Sequence, residues 1–327
     1  MTYLNLNRRY IERESYDQNE LIAVQFRGKL VGWDKVLESR SSVIVAPANF
    51  GKTTEMRHQA AQLRAKGEVA VFIALRQLAD RGNLEKTLEG DDRDAYRAWK
   101  AASTARITVF VDSLDEAAAG KEERIGHLVG DVADELGWPN AHVRWVISTR
   151  PAVLTSAVFE NLSKLLSKSA SKVIGTSGGV GRLGSTGTAS VAMDNEEQPR
   201  LRLFSMGHLE DIQAIAYLNG RHPELNAKHL VQIASERGLS GFIQSPGGLD
   251  ILARIDMVAN PPTSLTEVFE RVVNAIGALR GADRRLADAG NPVPEIVTGA
   301  VRHLAAASMV CQLVNIEMPE ATLNVPE

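Results

Sequence analysis

The segment VIVAPANFGKTTEMR, Val43 to Arg57, restricts the possible folds of this chain more than any other segment. It begins within SVIVA, residues Ser42 to Ala46, a short apolar run rich in β-branched residues, which is typical of a buried strand. After a loop, the helical pattern TTEMRHQAAQLRAKG ends at Gly67, a residue type favoured just after a helix. One face of this predicted helix carries three apolar residues, Met56, Ala60 and Leu63. The order of strand, loop and helix predicts the first unit of a parallel sheet.

Further apolar runs have the same character and alternate with helical patterns, as the strands of a parallel α/β sheet do. With the first run, Ser42 to Ala46, they are Val69 to Leu75, Ile107 to Asp112, Val143 to Thr149 and, with a weaker pattern, Leu201 to Met206. We therefore expect an α/β domain built on a parallel sheet.

The loop A-P-A-N-F-G-K-T resembles the phosphate-loop pattern of Gly, four residues, Gly, Lys, then Ser or Thr, and departs from it only at Ala46. In such a loop Gly51 admits close approach of phosphate, Lys52 supplies a cation to the β and γ phosphates, and Thr53 offers a hydroxyl to Mg²⁺. Alanine costs backbone freedom only if its position needs a positive φ, and it keeps its N–H. The alternative is a surface turn before a helix. The predicted nucleotide-binding residues are Ala46, Pro47, Ala48, Asn49, Phe50, Gly51, Lys52, Thr53 and Thr54.

Acidic residues follow the strand ITVFVD in the segment VFVDSLDEA. In nucleotide hydrolases an acidic residue at the tip of a neighbouring strand holds Mg²⁺, and a later carboxylate can orient or deprotonate the attacking water. Asp112 is the predicted metal residue, together with Thr53. Asp115 and Glu116 are the predicted catalytic carboxylates, with Glu116 favoured. The alternative is that these carboxylates only cap the next helix at its positive end.

The strand VRWVIST is followed by Arg150, and its last residues, Ser148 and Thr149, are polar. The carboxyl ends of parallel strands meet at one edge, where ligands bind in open α/β folds. Arg150 could there stabilise a γ phosphate, or it could pair with an acidic residue as part of the scaffold.

Beyond the sheet the composition changes twice. Residues 167–199 are rich in Gly, Ser and Thr and are predicted to form a flexible insertion. Within them GVGRLGST has the glycine spacing of a phosphate loop, but it lacks the lysine and a preceding strand, so low complexity explains it better. After residue 207 five helical patterns predict an all-α domain. They are HLEDIQAIAYLNG, LNAKHLVQIASERG, LDILARIDMVAN, TSLTEVFERVVNAIGALRG, which Ser264 and Glu267 would begin as a capping box, and IVTGAVRHLAAASMVCQLVN.

The predicted organisation is thus a lead-in segment over residues 1–40, a nucleoside-triphosphatase-like domain over 41–206 and a helical domain over 207–327. The formal net charge of -3 gives no global field for nucleic acid. No window approaches 18 uninterrupted apolar residues, and the N-terminus has no signal-peptide core. A single cysteine, Cys311, fits a buried thiol, and seven scattered histidines show no zinc-ligand spacing. We expect a cytoplasmic protein that binds no membrane.

The segments APANFGKTT, FVDSLDEA and ISTRP, in this order, resemble the NACHT branch of the STAND class of signal-transduction ATPases, which is related to the AAA+ group. The resemblance covers about residues 30–255 and makes the three segments a Walker A motif, an extended Walker B motif and an arginine-bearing sensor 1. It places Trp33 in the short helix before the first strand. It also implies that Pro246, at the start of a later helix, packs by the adenine, although Pro-Gly-Gly is an ordinary turn too.

The resemblance implies an ATP- and Mg²⁺-dependent switch that hydrolyses ATP slowly, assembles into a homo-oligomer when triggered, and serves in signalling or antiviral defence with trigger and effector proteins that the sequence does not identify. Members usually carry an N-terminal effector domain and C-terminal repeats, so this chain would be a minimal or truncated member, or other chains would supply those parts.

Two alternatives to this function stay open. One is a non-hydrolysing nucleotide-binding scaffold. The other is a P-loop small-molecule kinase, which should have an arginine-rich lid, whereas the insertion carries only Arg182.

Overall fold

A seven-stranded sheet organises the first part of the chain in the computed structural model, which describes residues 3–17, 28–102, 106–114, 122–138, 142–167, 201–255, 267, 270 and 271. Five strands are parallel in the order β7-β3-β6-β5-β4, and β1 and β2 extend the sheet antiparallel beyond β7. The strands are β1 (Tyr10–Arg13), β2 (Leu30–Val31), β3 (Ser41–Val45), β4 (Val69–Ala74), β5 (Ile107–Asp112), β6 (Val143–Thr149) and β7 (Arg202–Met206).

Helices connect the parallel strands and cover both faces of the sheet. They are α1 (Trp33–Glu38), α2 (Lys52–Ala65), α3 (Leu75–Arg81), α4 (Leu84–Thr87), α5 (Gly90–Ala102), α6 (Glu122–Glu135) and α7 (Ser156–Leu166). Successive side chains of a strand point to opposite faces. In β3, Val43 therefore packs in one core cluster, with residues of α6 and α7, and Ile44 packs in another, with residues of α2. This two-sided burial explains why each parallel strand has an apolar run at its centre.

The mixed α/β fold with a mostly parallel sheet is confirmed, and the five predicted strands agree with β3 to β7 to within a residue at each end. The predicted face of α2 is also confirmed, because Met56, Ala60 and Leu63 are buried. Gly67 follows the C-cap of α2 with φ 82°, the left-handed conformation that ends many helices.

The apolar patterns of the sequence did not predict the order of the strands. In the sheet, β6 lies between β3, the strand before the phosphate loop, and β5, which ends in Asp112. The order depends on where each helical connection returns to the sheet, and apolar patterns do not encode that path.

Residues Leu209–Glu327 form a second compact unit, separate from Met1–His208. Its described helices are α8 (Asp211–Arg221), α9 (Ala227–Glu236), α10 (Ser240–Ile243) and α11 (Pro246–Arg254). The first three predicted helical patterns fall on α8, α9 and α11. The other two patterns, with Ser264 and Cys311, lie outside the described residues apart from single positions, as does the insertion predicted over 167–199 apart from residue 167. Within the described ranges no helix is long and apolar enough to cross a membrane.

Candidate functional site

The phosphate-loop-like segment connects β3 to α2 at the carboxyl edge of the parallel strands. Asn49 and Gly51 have φ values of 63° and 89°, in the left-handed region, and Gly51 is the N-cap of α2. Ala46 does not have a positive φ, and its N–H donates to the Thr149 carbonyl oxygen of β6 at 3.2 Å. Alanine in place of the glycine therefore causes no backbone strain here. The hydrogen bond of Ala46 extends the pairing of β3 with β6 by one residue.

Lys52 is the first residue of α2 and is 9% exposed. Its ammonium group donates to the carbonyl oxygens of Ala46 at 2.7 Å and of Pro47 at 2.8 Å. The cation is therefore held against the first two residues of its own loop. Because buried charges are costly unless they are hydrogen-bonded, these carbonyl groups stabilise the ammonium in this position.

Asp112 ends β5 and is 3% exposed. Its Oδ2 atom accepts a hydrogen bond from the Thr53 hydroxyl at 2.6 Å, and its Oδ1 atom accepts one from the Ser148 hydroxyl of β6. The hydroxyl of Ser148 also lies 3.4 Å from the Ser113 amide, which donates to it. The start of α2 and the ends of β5 and β6 thus meet at one carboxylate. Ser148 belongs to β6, the strand that lies between β5 and β3, so its hydroxyl connects Asp112 to the strand beside the phosphate loop.

The donors that meet here are one carboxylate and two hydroxyl groups, from Asp112, Thr53 and Ser148. Hard oxygen ligands of this kind suit Mg²⁺, which keeps several waters or phosphate oxygens and needs only one or two protein carboxylates. Nowhere in the described ranges do three His, Cys, Asp or Glu side chains form a group able to hold a metal by themselves. The residues present therefore fit a magnesium ion that shares its coordination with a phosphate ligand and water.

The other predicted site residues have different positions. Arg150 directly follows β6 with an exposed side chain, and its carbonyl oxygen accepts from Val153 at 3.2 Å in the turn that follows. Phe50 is 8% exposed and lies edge-on to His208, with ring centroids 5.5 Å apart. Pro246 is the first residue of α11 in the second compact unit, where Ser245 caps that helix. Asp115 and Glu116 lie outside the described residues.

A buried polar cluster on α2 was missed by sequence reasoning. Glu55 lies in the first turn of the helix and is 5% exposed. Its carboxylate accepts from the Tyr3 hydroxyl at 3.1 Å and, through a long contact of 3.5 Å, from the indole N–H of Trp33. Burial raises the pKa of Glu55, an effect that these two hydrogen bonds and the Arg8 guanidinium oppose.

Arg8 completes the link between the N-terminal segment and the sheet. It is 3% exposed and donates to the Gly207 carbonyl oxygen at 2.8 Å. Burial lowers the pKa of Arg8, and the neighbouring Glu55 charge raises it. Residues before β1 therefore pack against the helix that begins at Lys52. The one sequence signal for this cluster is a charged residue, Glu55, beside the apolar face that contains Met56. Charged residues beside the apolar face of a helix are common, so this signal does not predict a buried cluster.

No protein-family model and no curated protein sequence matches the chain.

Proposed function

We propose that the chain is an ATP-binding molecular switch of the STAND and NACHT type, with Mg²⁺-bound ATP held at the carboxyl edge of the sheet. The single observation that carries this proposal is the hydrogen bond of 2.6 Å between Thr53 and Asp112. A hydroxyl at the start of a helix and a carboxylate two strands away are brought within the reach of one cation. A surface turn before a helix would have no need of this contact.

Each residue of the site has a distinct role in this proposal. The loop amides and the Lys52 ammonium bind the β and γ phosphates, with Lys52 exchanging its carbonyl partners for phosphate oxygens. Thr53 supplies a metal ligand and Asp112 holds the ion directly or through water. When bound, Mg²⁺ neutralises negative charge that develops on the phosphates.

The hydrolytic step is assigned to residues that follow these strands. Glu116, or Asp115, orients the attacking water and accepts its proton, and Arg150 stabilises the charge of the γ phosphoryl group. Hydrolysis would then reset the switch. The second compact unit takes part through Pro246, which we assign to the adenine, and through an all-α domain that extends to residue 327. This arrangement would bias two states of the protein according to the bound nucleotide.

The biological setting of the switch is also part of the proposal. Signalling or antiviral defence, assembly into a homo-oligomer, and separate trigger and effector proteins are inferred from the resemblance to the STAND class. Fold and site chemistry alone do not specify such partners. These elements therefore depend on the nucleotide site being correctly identified.

The first test is calorimetric titration of the protein with ATP in the presence of Mg²⁺. Lys52→Ala removes the ammonium group and should weaken binding at least tenfold, which is about 1.4 kcal/mol. Lys66→Ala is the matched control, because Lys66 is an exposed lysine at the opposite end of the same helix and its loss should leave the affinity unchanged. Equal affinities for wild type and Lys52→Ala would show that the site is wrongly assigned.

A non-hydrolysing scaffold is the second candidate. It is favoured by the fact that Lys52 and Asp112 already have protein partners, as expected if both only stabilise the fold. Phosphate release by wild type and Glu116→Gln separates the two candidates. The switch predicts measurable turnover in wild type and a loss of at least tenfold in the variant with ATP binding retained, whereas equal background rates would favour the scaffold.

A further inference from the structure

A basic cluster lies at the edge of the sheet opposite the phosphate-loop edge. Arg40, His142 and Arg106 are the residues directly before β3, β6 and β5, three strands that are adjacent in that order. Because the amino ends of parallel strands share one edge, these three side chains arise next to one another. Arg144, the second residue of β6, adds a third guanidinium group.

Two of the guanidinium groups are held in place from within the protein. The Arg40 guanidinium carbon lies 4.1 Å from the ring centroid of Trp138, a cation–π contact. The Arg144 side chain is 14% exposed, and its Nη1 atom lies 3.9 Å from a Glu68 carboxylate oxygen and 3.4 Å from the Thr108 hydroxyl. These contacts hold both groups before any ligand arrives, which lowers the entropic cost of binding.

The third guanidinium group belongs to Arg106, an exposed residue at the rim of a cleft of about 250 Å³. Arg40, Arg144 and His142 line the same cleft. Its volume is slightly below the range of about 300–1,000 Å³ that is typical of pockets for drug-sized ligands. It is therefore suited to a small group that several N–H donors can contact at once.

The charges in the cleft repel one another. Burial lowers the pKa of Arg40 and of Arg144, and the charge of Arg106 lowers both further. Arginine stays protonated in proteins, so these shifts reflect the cost of burying the two guanidinium groups and, secondarily, of holding them near the charge of Arg106. A bound anion would relieve that cost.

Two carboxylates, those of Glu38 and Glu68, lie near the cluster. The first also contacts other basic side chains, and the second is a long contact away from the nearest guanidinium group. Glu38 lines the cleft but contacts Lys35 at 2.6 Å and Arg202 at 3.7 Å. Glu68 raises the pKa of Arg144 across 3.9 Å, although it is 49% exposed. The two carboxylates therefore leave the cleft with an excess of positive charge.

We propose that this cleft binds the phosphate group of a small phosphorylated molecule, at a site separate from the phosphate loop. Guanidinium groups bind phosphate through paired, charge-assisted hydrogen bonds, and three of them can engage the several oxygens of one tetrahedral group. A phosphate at the end of a nucleic acid has the same chemistry, so the test below includes both sources. This site goes beyond the proposed switch and does not require it.

The test uses pyrophosphate as the probe and the Lys52→Ala protein as the background, so that the phosphate loop contributes little. We expect Lys52→Ala to bind pyrophosphate and the double variant Lys52→Ala/Arg106→Gln to bind at least tenfold more weakly, equivalent to about 1.4 kcal/mol. The affinity should also fall with added salt, because the contacts are ionic. Arg76→Gln in the same background is the matched control, since Arg76 is an exposed arginine of α3 that does not line the cleft, and it should leave the affinity unchanged.

Two outcomes would overturn the proposal: no pyrophosphate binding by Lys52→Ala at millimolar concentration, or equal affinities with and without Arg106. Arg106 is exposed, so its replacement should preserve folding, and an unchanged thermal midpoint verifies this.

A 5′-phosphorylated trinucleotide forms a second arm of the titration. Binding at least tenfold tighter than pyrophosphate, and still dependent on Arg106, would identify a nucleic-acid end as the source, whereas equal or weaker binding supports a small molecule. Neither arm depends on ATP binding, so failure of the switch proposal would appear separately.

Discussion

At the scale of single residues, Glu55 is the clearest case of a charge held where burial disfavours it. It lies in the first turn of α2, which begins at Lys52, and its contacts with Tyr3 and Trp33 link that helix to the N-terminal segment. Burial raises the pKa of Glu55 above the ordinary glutamate value of 4.5. The stability of the protein around α2, the helix that follows the phosphate loop, should therefore depend on pH through Glu55.

We predict that Glu55→Gln changes the pH dependence of stability in a definite direction. Because the pKa of Glu55 is higher in the folded protein than in the unfolded chain, its contribution is fully present below about pH 4.5 and is lost as the pH rises through the folded-state pKa. The free energy of unfolding of wild type minus that of Glu55→Gln should fall over this window, by about 1.4 kcal/mol for each pH unit between the two pKa values.

The measurement is urea unfolding of both proteins at a series of pH values from 4 to 8. Glu236→Gln serves as the control, because Glu236 is an exposed residue at the end of α9, whereas Glu55 is buried. A difference between wild type and Glu55→Gln that rises with pH would contradict the prediction.

At the scale of elements, the turn from α10 into α11 depends on one glycine. A Cβ atom at Gly248 would lie 2.2 Å from the Phe242 carbonyl oxygen, a backbone atom that cannot move aside. The Gly248 amide also donates to the hydroxyl of Ser245, the N-cap of α11, at 3.2 Å. The helix that begins at Pro246 is therefore positioned by close backbone packing against α10.

We predict that Gly248→Ala destabilises the second compact unit by about 2–3 kcal/mol, because the added methyl group overpacks this contact. Gly241→Ala is a matched control within α10, where a new Cβ would meet no atom within 4 Å and helix propensity should add up to about 1 kcal/mol of stability. Thermal and urea unfolding of both variants test the pair. Equal stabilities of the two variants would contradict the packing argument.

Several elements could be predicted from sequence because their burial imposes a pattern. The strand ending in Asp112 is mostly apolar because both of its faces are buried, and the end of α2 is marked by Gly67. β1 escaped prediction because it has four residues between charged neighbours, too few for a pattern. The partnership of Ser148 with Asp112 also escaped, because it requires β6 to lie between β3 and β5, an order set by long-range packing.

At the scale of the whole molecule, the switch proposal requires ATP to affect both compact units of the chain, Met1–His208 and Leu209–Glu327. A ligand shifts an equilibrium only through a difference in its affinity for the two states. If ATP contacts the phosphate loop alone, binding stabilises the first unit only. If Pro246 also contacts the nucleotide, the second unit is stabilised by the same event.

Hydrogen exchange followed by mass spectrometry distinguishes these cases in the intact chain. At 100 times its dissociation constant, a ligand stabilises the states that bind it by about 2.7 kcal/mol, so amides that exchange by unfolding of those states should slow roughly 100-fold. We predict this slowing in peptides covering residues 46–54 and 246–254 when ATP and Mg²⁺ are added to wild type. In Lys52→Ala at the same ATP concentration the slowing of both peptides should be smaller by about tenfold or more, in line with its weaker binding. Slowing confined to residues 46–54 would show that the chain binds ATP without coupling its two units, and the switch would then be wrong while the nucleotide site stood.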